Sequence, residues 1–347
     1  MNAFRLPAEW YPQDAVLLTW PHKDTDWAEI LQDVEPIFVQ IATAILDVQQ
    51  LVIAVHNTEL KSHISHLLPQ DKLKQVIFVE TPTDDTWARD HGPITLVNQQ
   101  TRQVKALNFT FNGWGGKFES TQDNAINQAL FQHPEIHPIS SESVDLILEG
   151  GGIESDGAGC ILTTSECLLN PNRNPAHSKS QLEASLLQLL GAEKILWLDH
   201  GYLAGDDTDA HIDTLARFAP NNTIVYVQCD DPKDEHFDAL QRMEVQLCSM
   251  TNTQNKPFNL IPLPWPTSII GREGYRLPAT YANYLIINQR VLVPTYDDPK
   301  DPHAFAQIQC AYPDHEVIGI NCRSIIEQHG SLHCLTMQLP VGFIRQQ

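Results

Sequence analysis

The sequence predicts one closed, pseudo-symmetric α/β domain covering residues 1–347. Three observations predict it. Strands and helices recur in the order ββαβ at roughly 40–55 residues, a period that marks propellers and arrays. One alternating strand, residues 335–339 (Leu-Thr-Met-Gln-Leu), is left over at the end of the chain, where it can supply the hairpin partner that the first unit lacks. No low-complexity stretch or Gly/Ser linker divides the chain.

Each element has a local reason. Residues 16–20 form a short apolar run and 27–48 carry helical periodicity. Residues 51–55 and 76–80 are again apolar runs of strand length, flanking a second helical segment at 60–68. In the second unit, 93–97 and 104–109 read as a hairpin, followed by a Gly-rich turn, a helix over 122–131 and a strand at 144–148. The third unit offers strands at 160–163 and 167–169, then Asn-Pro-Asn-Arg-Asn-Pro, a helix over 180–190 and a strand at 194–198. The fourth has strands at 214–218 and 223–228, a helix over 233–247 and a strand at 259–263. The fifth has strands at 284–288 and 291–294, a helix over 304–311 and a strand at 316–320. Asp-Asp-Pro precedes the helix in both of these last units.

Composition narrows the function. The chain is 42% hydrophobic and 19% charged, as an ordinary globular protein is, with a formal net charge of −21. Nucleic acid and anionic membranes call for a basic face, so neither is an expected partner. A negative field attracts cationic small molecules, although acidity also serves solubility alone. The N-terminal residues show no apolar signal region, and no apolar run reaches membrane-spanning length. Seven scattered cysteines do not form a disulfide framework. The expectation is a cytoplasmic protein with reduced thiols.

The repeat aligns the polar segments. Each falls after the last strand of one unit and before the first strand of the next: residues 86–93 (Thr-Trp-Ala-Arg-Asp-His-Gly-Pro), 148–152 (Leu-Glu-Gly-Gly-Gly), 205–213, 271–283 with Arg272, Glu273 and Arg276, and the loop 327–334 ending in Cys334. In a ring, equivalent slots converge on the axis. Asp90, Glu149, His211, Asp213 and Cys334 are therefore expected at one central site. Singly each has a plainer reading: Asp90 as a turn residue, Glu149 as a strand end, Cys334 as a small buried hydrophobe. The glycines after Glu149 lack the spacing of a phosphate cradle. The run Asp206-Asp207-Thr208-Asp209 lacks the Ca²⁺-loop pattern and reads as a capping turn. His211 and Asp213 open a strand-like run in which period two sets both on one face. Zinc spacings are absent, so no metal is expected.

Taken together, a thiol, an imidazole and three carboxylates suit a cation. A guanidinium presents five N–H donors that carboxylates match in bidentate fashion. A thiolate attacks its central carbon, and a protonated His211 gives a proton to departing ammonia and takes one from water. A free thiol near pKa ~8.5 is only a few per cent ionised at neutral pH, so the bound cation or His211 must favour the thiolate.

The segments Trp87-Ala-Arg-Asp-His-Gly-Pro, Leu148-Glu-Gly-Gly-Gly, Leu169-Asn-Pro-Asn-Arg-Asn-Pro, Asp207-Thr-Asp-Ala-His-Ile-Asp213 and Gly330-Ser-Leu-His-Cys334 resemble the agmatine deiminase and bacterial-type (Porphyromonas-type) peptidyl-arginine deiminase family, over residues 10–340. The resemblance implies the pentein fold, a five-bladed α/β propeller of ββαβ units, with no metal or organic cofactor. It implies Cys334 as nucleophile, His211 as general acid/base, Asp90 and Asp213 as guanidinium-holding carboxylates, and Glu149 as the residue that binds guanidinium and orients the histidine. The implied reaction is agmatine plus water to N-carbamoylputrescine and ammonia, through a thiouronium, within putrescine biosynthesis and polyamine metabolism. The implied assembly is a homo-oligomer. Trp87 and Trp114 are expected along the substrate's alkyl chain, and Arg276 matches a family arginine near the substrate. The sequence departs from the usual family pattern at His329-Gly330-Ser331, at Ala210 for glycine, and at Gly152-Ile153-Glu154. These departures bear on the substrate tail, so another guanidine, such as a C-terminal peptidyl-arginine, is the alternative substrate. The alternative of another class is a guanidinium-binding protein without turnover.

Overall fold

A computed structural model describes residues 3–137 and 139–345; the ends of the predicted 1–347 unit and Pro138 lie outside the described residues. Among the described residues, seventeen strands run in chain order: β1 (Phe4–Arg5), β2 (Gln13–Thr19), β3 (Gln50–Val55), β4 (Val76–Glu80), β5 (Ile94–Asn98), β6 (Val104–Thr110), β7 (Ser140–Ile147), β8 (Ile153–Ser155), β9 (Cys160–Thr164), β10 (Lys194–Leu198), β11 (Ala216–Ala219), β12 (Thr223–Gln228), β13 (Asn259–Pro264), β14 (Leu285–Ile287), β15 (Arg290–Thr295), β16 (Glu316–Asn321) and β17 (Thr336–Pro340).

They build five sheets of one plan: an antiparallel pair followed, through a helical crossover, by a parallel strand. β5 and β6, β8 and β9, β11 and β12, and β14 and β15 are the antiparallel pairs. β7, β10, β13 and β16 add in parallel. The remaining sheet takes its antiparallel pair from opposite ends of the chain, with β17 beside β2 in register Met337↔Leu17, and β3 and β4 following in parallel. The leftover strand thus closes the fold as expected.

Burial explains the composition of the strands. β2, β3, β9 and β12 are buried along almost their whole length and read as continuous apolar runs, whereas β7, β13 and β16 lie at sheet edges and are half exposed. The crossover helices have ordinary stops and starts. Ser178 and Gln181 form a capping box on the helix Lys179–Leu190, which ends at Gly191 with φ 64°. Asn57 caps Thr58–Leu67.

Two sequence expectations fail locally. Residues 167–169 are not a strand: Thr164 accepts from the backbone N–H of Cys167 and starts the helical turn Ser165–Leu168, and the true hairpin partner of β9 is β8. Nor do His211 and Asp213 open a strand. They flank and enter the 3₁₀ turn Ile212–Thr214, closed by the Thr214 hydroxyl on the His211 carbonyl at 2.8 Å, and β11 starts only at Ala216. No helix among the described residues is long and apolar enough to cross a membrane.

Candidate active site

All five inter-unit slots deliver side chains to one place, but not always the predicted ones. Cys334 ends the loop that runs into β17 and is buried, with its Sγ 3.2 Å from Asn283 Nδ2 and 3.8 Å from Asp213 Oδ2. Asn283 Oδ1 accepts from the backbone N–H of His333 at 2.9 Å, so one amide fixes both the nucleophile's loop and its sulfur. Burial drives the Cys334 thiol well above its ordinary range, and the negative charges of Asp213 and Asp90 drive it further. The thiol is protonated when no cation is bound.

Asp90 sits on the helical turn Ala88–His91. Its Oδ2 accepts from Trp114 Nε1 at 2.9 Å and its Oδ1 from the backbone N–H of Gly151 at 2.9 Å, with His211 Nδ1 3.6 Å from Oδ1. Burial lifts the Asp90 carboxyl to about 6, against the opposing pull of His211. His211 is fully buried and neither ring nitrogen has a hydrogen-bond partner among the described residues. Burial opposes its charge, but Asp90, Cys167 and Glu149 outweigh burial and raise its pKa well above the ordinary value. The ring fits only because residue 151 is glycine: a Cβ there would stand 2.5 Å from His211 Nδ1 and 2.8 Å from Asp90 Oδ1.

Glu149 is fully buried and takes Arg173 Nε on both oxygens, at 2.8 and 3.0 Å. Arg173 Nη1 continues to Asp209 Oδ2 at 2.7 Å and Nη2 to the Thr208 carbonyl at 2.9 Å. Arg173 therefore ties the Glu149 slot to the His211 slot. Donor atoms of Glu149, Cys167 and His211 lie within 4.8 Å of one another. Both Glu149 oxygens are already taken by a cation, an arrangement that disfavours a dication there.

Asp213 Oδ2 accepts from His333 Nδ1 at 2.8 Å, while its Oδ1 is buried without a partner among the described residues. Burial would raise the Asp213 carboxyl, but His333 holds it below the usual range. Asp213 Oδ1 is thus an unsatisfied buried acceptor beside a thiol, a pattern that a bound cation with N–H donors completes.

The pocket is lined by Asp90, Cys334, Trp87, Trp114, Phe118, Asp26, Asp85, Asp207, Thr208, Gln328, His329 and Gly330. Asp90 and Cys334 are buried, whereas Asp26 and Phe118 are exposed and form the rim. Trp87 and Trp114 both line it. Trp87 Nε1 donates to Asp85 Oδ2 at 3.0 Å. Trp114, at φ 54°, packs edge-on against Phe118 with centroids 5.5 Å apart. Gly330 is set by space rather than by a left-handed turn. The left-handed residue is His329, at φ 68°, whereas a Cβ on Gly330 would lie 2.3 Å from Trp87 Cζ3. His329 stacks on Tyr275 at 5.4 Å and 6°.

Arg276 does not line this pocket. It pairs with Asp234 at 2.8 and 3.1 Å and lies over Trp265, and Asn283 is the residue of that slot that reaches the sulfur. Sequence reasoning also left out Arg173, His333, Asp85 and Asp207 as site residues. Arg173, His333 and Asp207 stood inside quoted motifs, and Asp85 adjoined one.

A family model described as Porphyromonas-type peptidyl-arginine deiminase matches residues 5–340. An agmatine deiminase of Pseudomonas fluorescens is 31% identical over 362 residues, covering 98% of this chain and 96% of its own. A Porphyromonas gingivalis structure provisionally described as an arginine deiminase has TM-score 0.92 and 47% identity, with 99% of each chain covered. C. jejuni agmatine deiminase, a cysteine-to-serine variant with substrate bound, has TM-score 0.90 and 36% identity, covering 99% of this chain and 97% of its own. Likeness over nearly the whole length carries with it the α/β pentein fold expected from the motifs.

Proposed function

We propose, for a chain that belongs to the Porphyromonas-type peptidyl-arginine deiminase family, the hydrolysis of agmatine to N-carbamoylputrescine and ammonia. The single observation that carries the substrate is the lining of the pocket. Beside the thiol it offers the aromatic side chains of Trp87, Trp114 and Phe118 and the carboxylates of Asp26, Asp85 and Asp207, with no arginine or lysine among the lining residues. An alkyl chain ending in an ammonium fits that set of surfaces. An α-carboxylate, as in free arginine, meets like charge and no cationic partner.

The chemistry follows from the protonation states. Before substrate binds, Cys334 is a thiol and His211 an imidazolium. The guanidinium, held between Asp90 and Asp213 Oδ1, brings positive charge to the sulfur and offsets the two carboxylates that disfavour the thiolate; the thiol gives up its proton to solvent, from which the sulfur regains one when the cycle closes. The sulfur attacks the guanidinium carbon, and a C–S bond forms. His211 protonates one amino group, ammonia departs as the C–N bond breaks, and a thiouronium remains on Cys334. The neutral imidazole then takes a proton from water, the hydroxyl adds to the same carbon, and the thiolate is expelled as the ureido product loses its last extra proton. Glu149, locked by Arg173, supports His211 in its charged form. The seven cysteines are all free, in line with a cytoplasmic setting.

The test is a panel of agmatine, free arginine and an arginine-terminated peptide, read as ammonia and ureido product. Turnover of agmatine with little of the others is the expected result. Preference for arginine or the peptide would overturn the substrate, and silence across the panel would favour a binding protein.

A further inference from the structure

Behind the nucleophile lies a buried ionic chain that the reaction scheme does not use. His333 is almost fully buried and has a carboxylate on each ring nitrogen: Asp213 Oδ2 at 2.8 Å from Nδ1 and Glu9 Oε2 at 2.6 Å from Nε2. Nδ1 faces the Asp213 carboxylate and therefore carries a proton that it donates to Oδ2, while Nε2 lies between Glu9 Oε2 and Arg217 Nη2, the latter at 3.0 Å. Glu9 comes from the N-terminal segment and is anchored in turn, Oε1 by the Ile286 N–H at 2.8 Å and Oε2 by Arg217 Nη2 at 2.7 Å. Arg217 is balanced by Glu154 at 3.1 Å. Arg89, which also faces Glu9 at 3.8 Å, completes the groups around the ring.

We infer that His333 and Glu9 are positioning residues for Asp213: a carboxylate–imidazole–carboxylate chain in which the His333 Nδ1–H occupies Asp213 Oδ2 and leaves Oδ1 aimed at the guanidinium. The inference rests on the functional reading above. Its physical content is that a deeply buried carboxylate next to Asp90 keeps its orientation and charge only with a fixed hydrogen-bond donor behind it. Remove that donor, or the Glu9 that holds its ring, and Asp213 takes up a proton or turns away, and the head of the site ceases to distinguish a charged guanidinium from a neutral ureido group. Neither residue touches the substrate.

The test uses Cys334→Ala, in which ligands bind without turnover, with Glu9→Gln or His333→Gln added. Affinities are measured calorimetrically for agmatine and for N-carbamoylputrescine, which share the amine tail and differ only at the head. The parent is expected to prefer agmatine, and each added substitution to cut that preference by roughly 10- to 100-fold, the worth of a hydrogen bond to a charged group. A merely structural role would weaken both ligands by one factor, and that result, or an unchanged preference, overturns the inference. Should either variant fold poorly, the same ratio is read from the other. Absence of agmatine binding in the parent would instead overturn the functional reading and this inference with it, so the parent tells the two failures apart.

Discussion

At the scale of single residues, the site is governed by groups whose ordinary titration has been displaced. Asp90 is lifted to about 6 by burial, and the Trp114 indole N–H at 2.9 Å works against that lift. Trp114→Phe removes the donor while keeping the ring's bulk. A charged hydrogen bond contributes about 1.5–3 kcal/mol, or roughly one to two pH units. Asp90 must be ionised to hold the cation, so activity is lost as pH falls through its pKa. The acid limb of kcat/KM is therefore expected to move to higher pH in Trp114→Phe, and a limb that stays in place contradicts the assignment. Gly151 is a second sensitive point, because its Cβ would enter the space of His211 and Asp90. A displacement of that order costs roughly 100-fold in rate, so Gly151→Ala is expected to keep the fold and lose most of kcat, checked by circular dichroism beside the assay. Ala210 shows the converse. It holds φ 61°, a left-handed backbone that favours glycine. Relief of about 1–2 kcal/mol of left-handed strain exceeds the roughly 0.5–1 kcal/mol entropic penalty of glycine, so Ala210→Gly is expected to raise the urea midpoint slightly.

At the scale of elements, the inter-unit loops carry the chemistry and the strands carry the loops. This much was legible in the sequence, because the strand pattern is strong over segments such as 76–80, 194–198 and 223–228, where the strands fall as read. What was not legible follows from tertiary contacts. A three-residue apolar run such as 167–169 cannot be told from a strand by periodicity; a single Thr164 cap on the turn Ser165–Leu168 decides it. His211 and Asp213 do stand close together, but the period-two reason for pairing them fails at the 3₁₀ turn. Arg276 and Asn283 share one loop, and only packing reveals that the charged residue pairs outward with Asp234 while the amide turns inward to Cys334. Arg173 joins two loops through Glu149 and Asp209, with its own guanidinium and Glu149 both fully buried. Removing one partner of such a pair costs about 3–5 kcal/mol. Arg173→Met is expected to lower stability by that amount in urea denaturation, and a change below about 1 kcal/mol, the range of surface pairs, would show the link to be dispensable.

At the scale of the whole molecule, β17 joins the two ends of the chain in one sheet and places Cys334 two residues before its closing strand. The nucleophile is thus held by the same pairing that completes the fold. The net charge of −21 adds a long-range attraction for a doubly charged cation. Salt screens that attraction over a Debye length of about 8 Å at physiological ionic strength. Added sodium chloride is therefore expected to lower kcat/KM for agmatine with kcat little changed, and salt-independent kcat/KM would confine recognition to the pocket. The central claim, that Cys334 opens the guanidinium by covalent attack, is tested most directly by mixing protein with agmatine, quenching in acid within the first turnover, and locating any adduct by peptide mass spectrometry. A thiouronium on the peptide containing Cys334, absent from Cys334→Ala, is the predicted result. Turnover by Cys334→Ala at the wild-type rate, or an adduct on another cysteine, would contradict it.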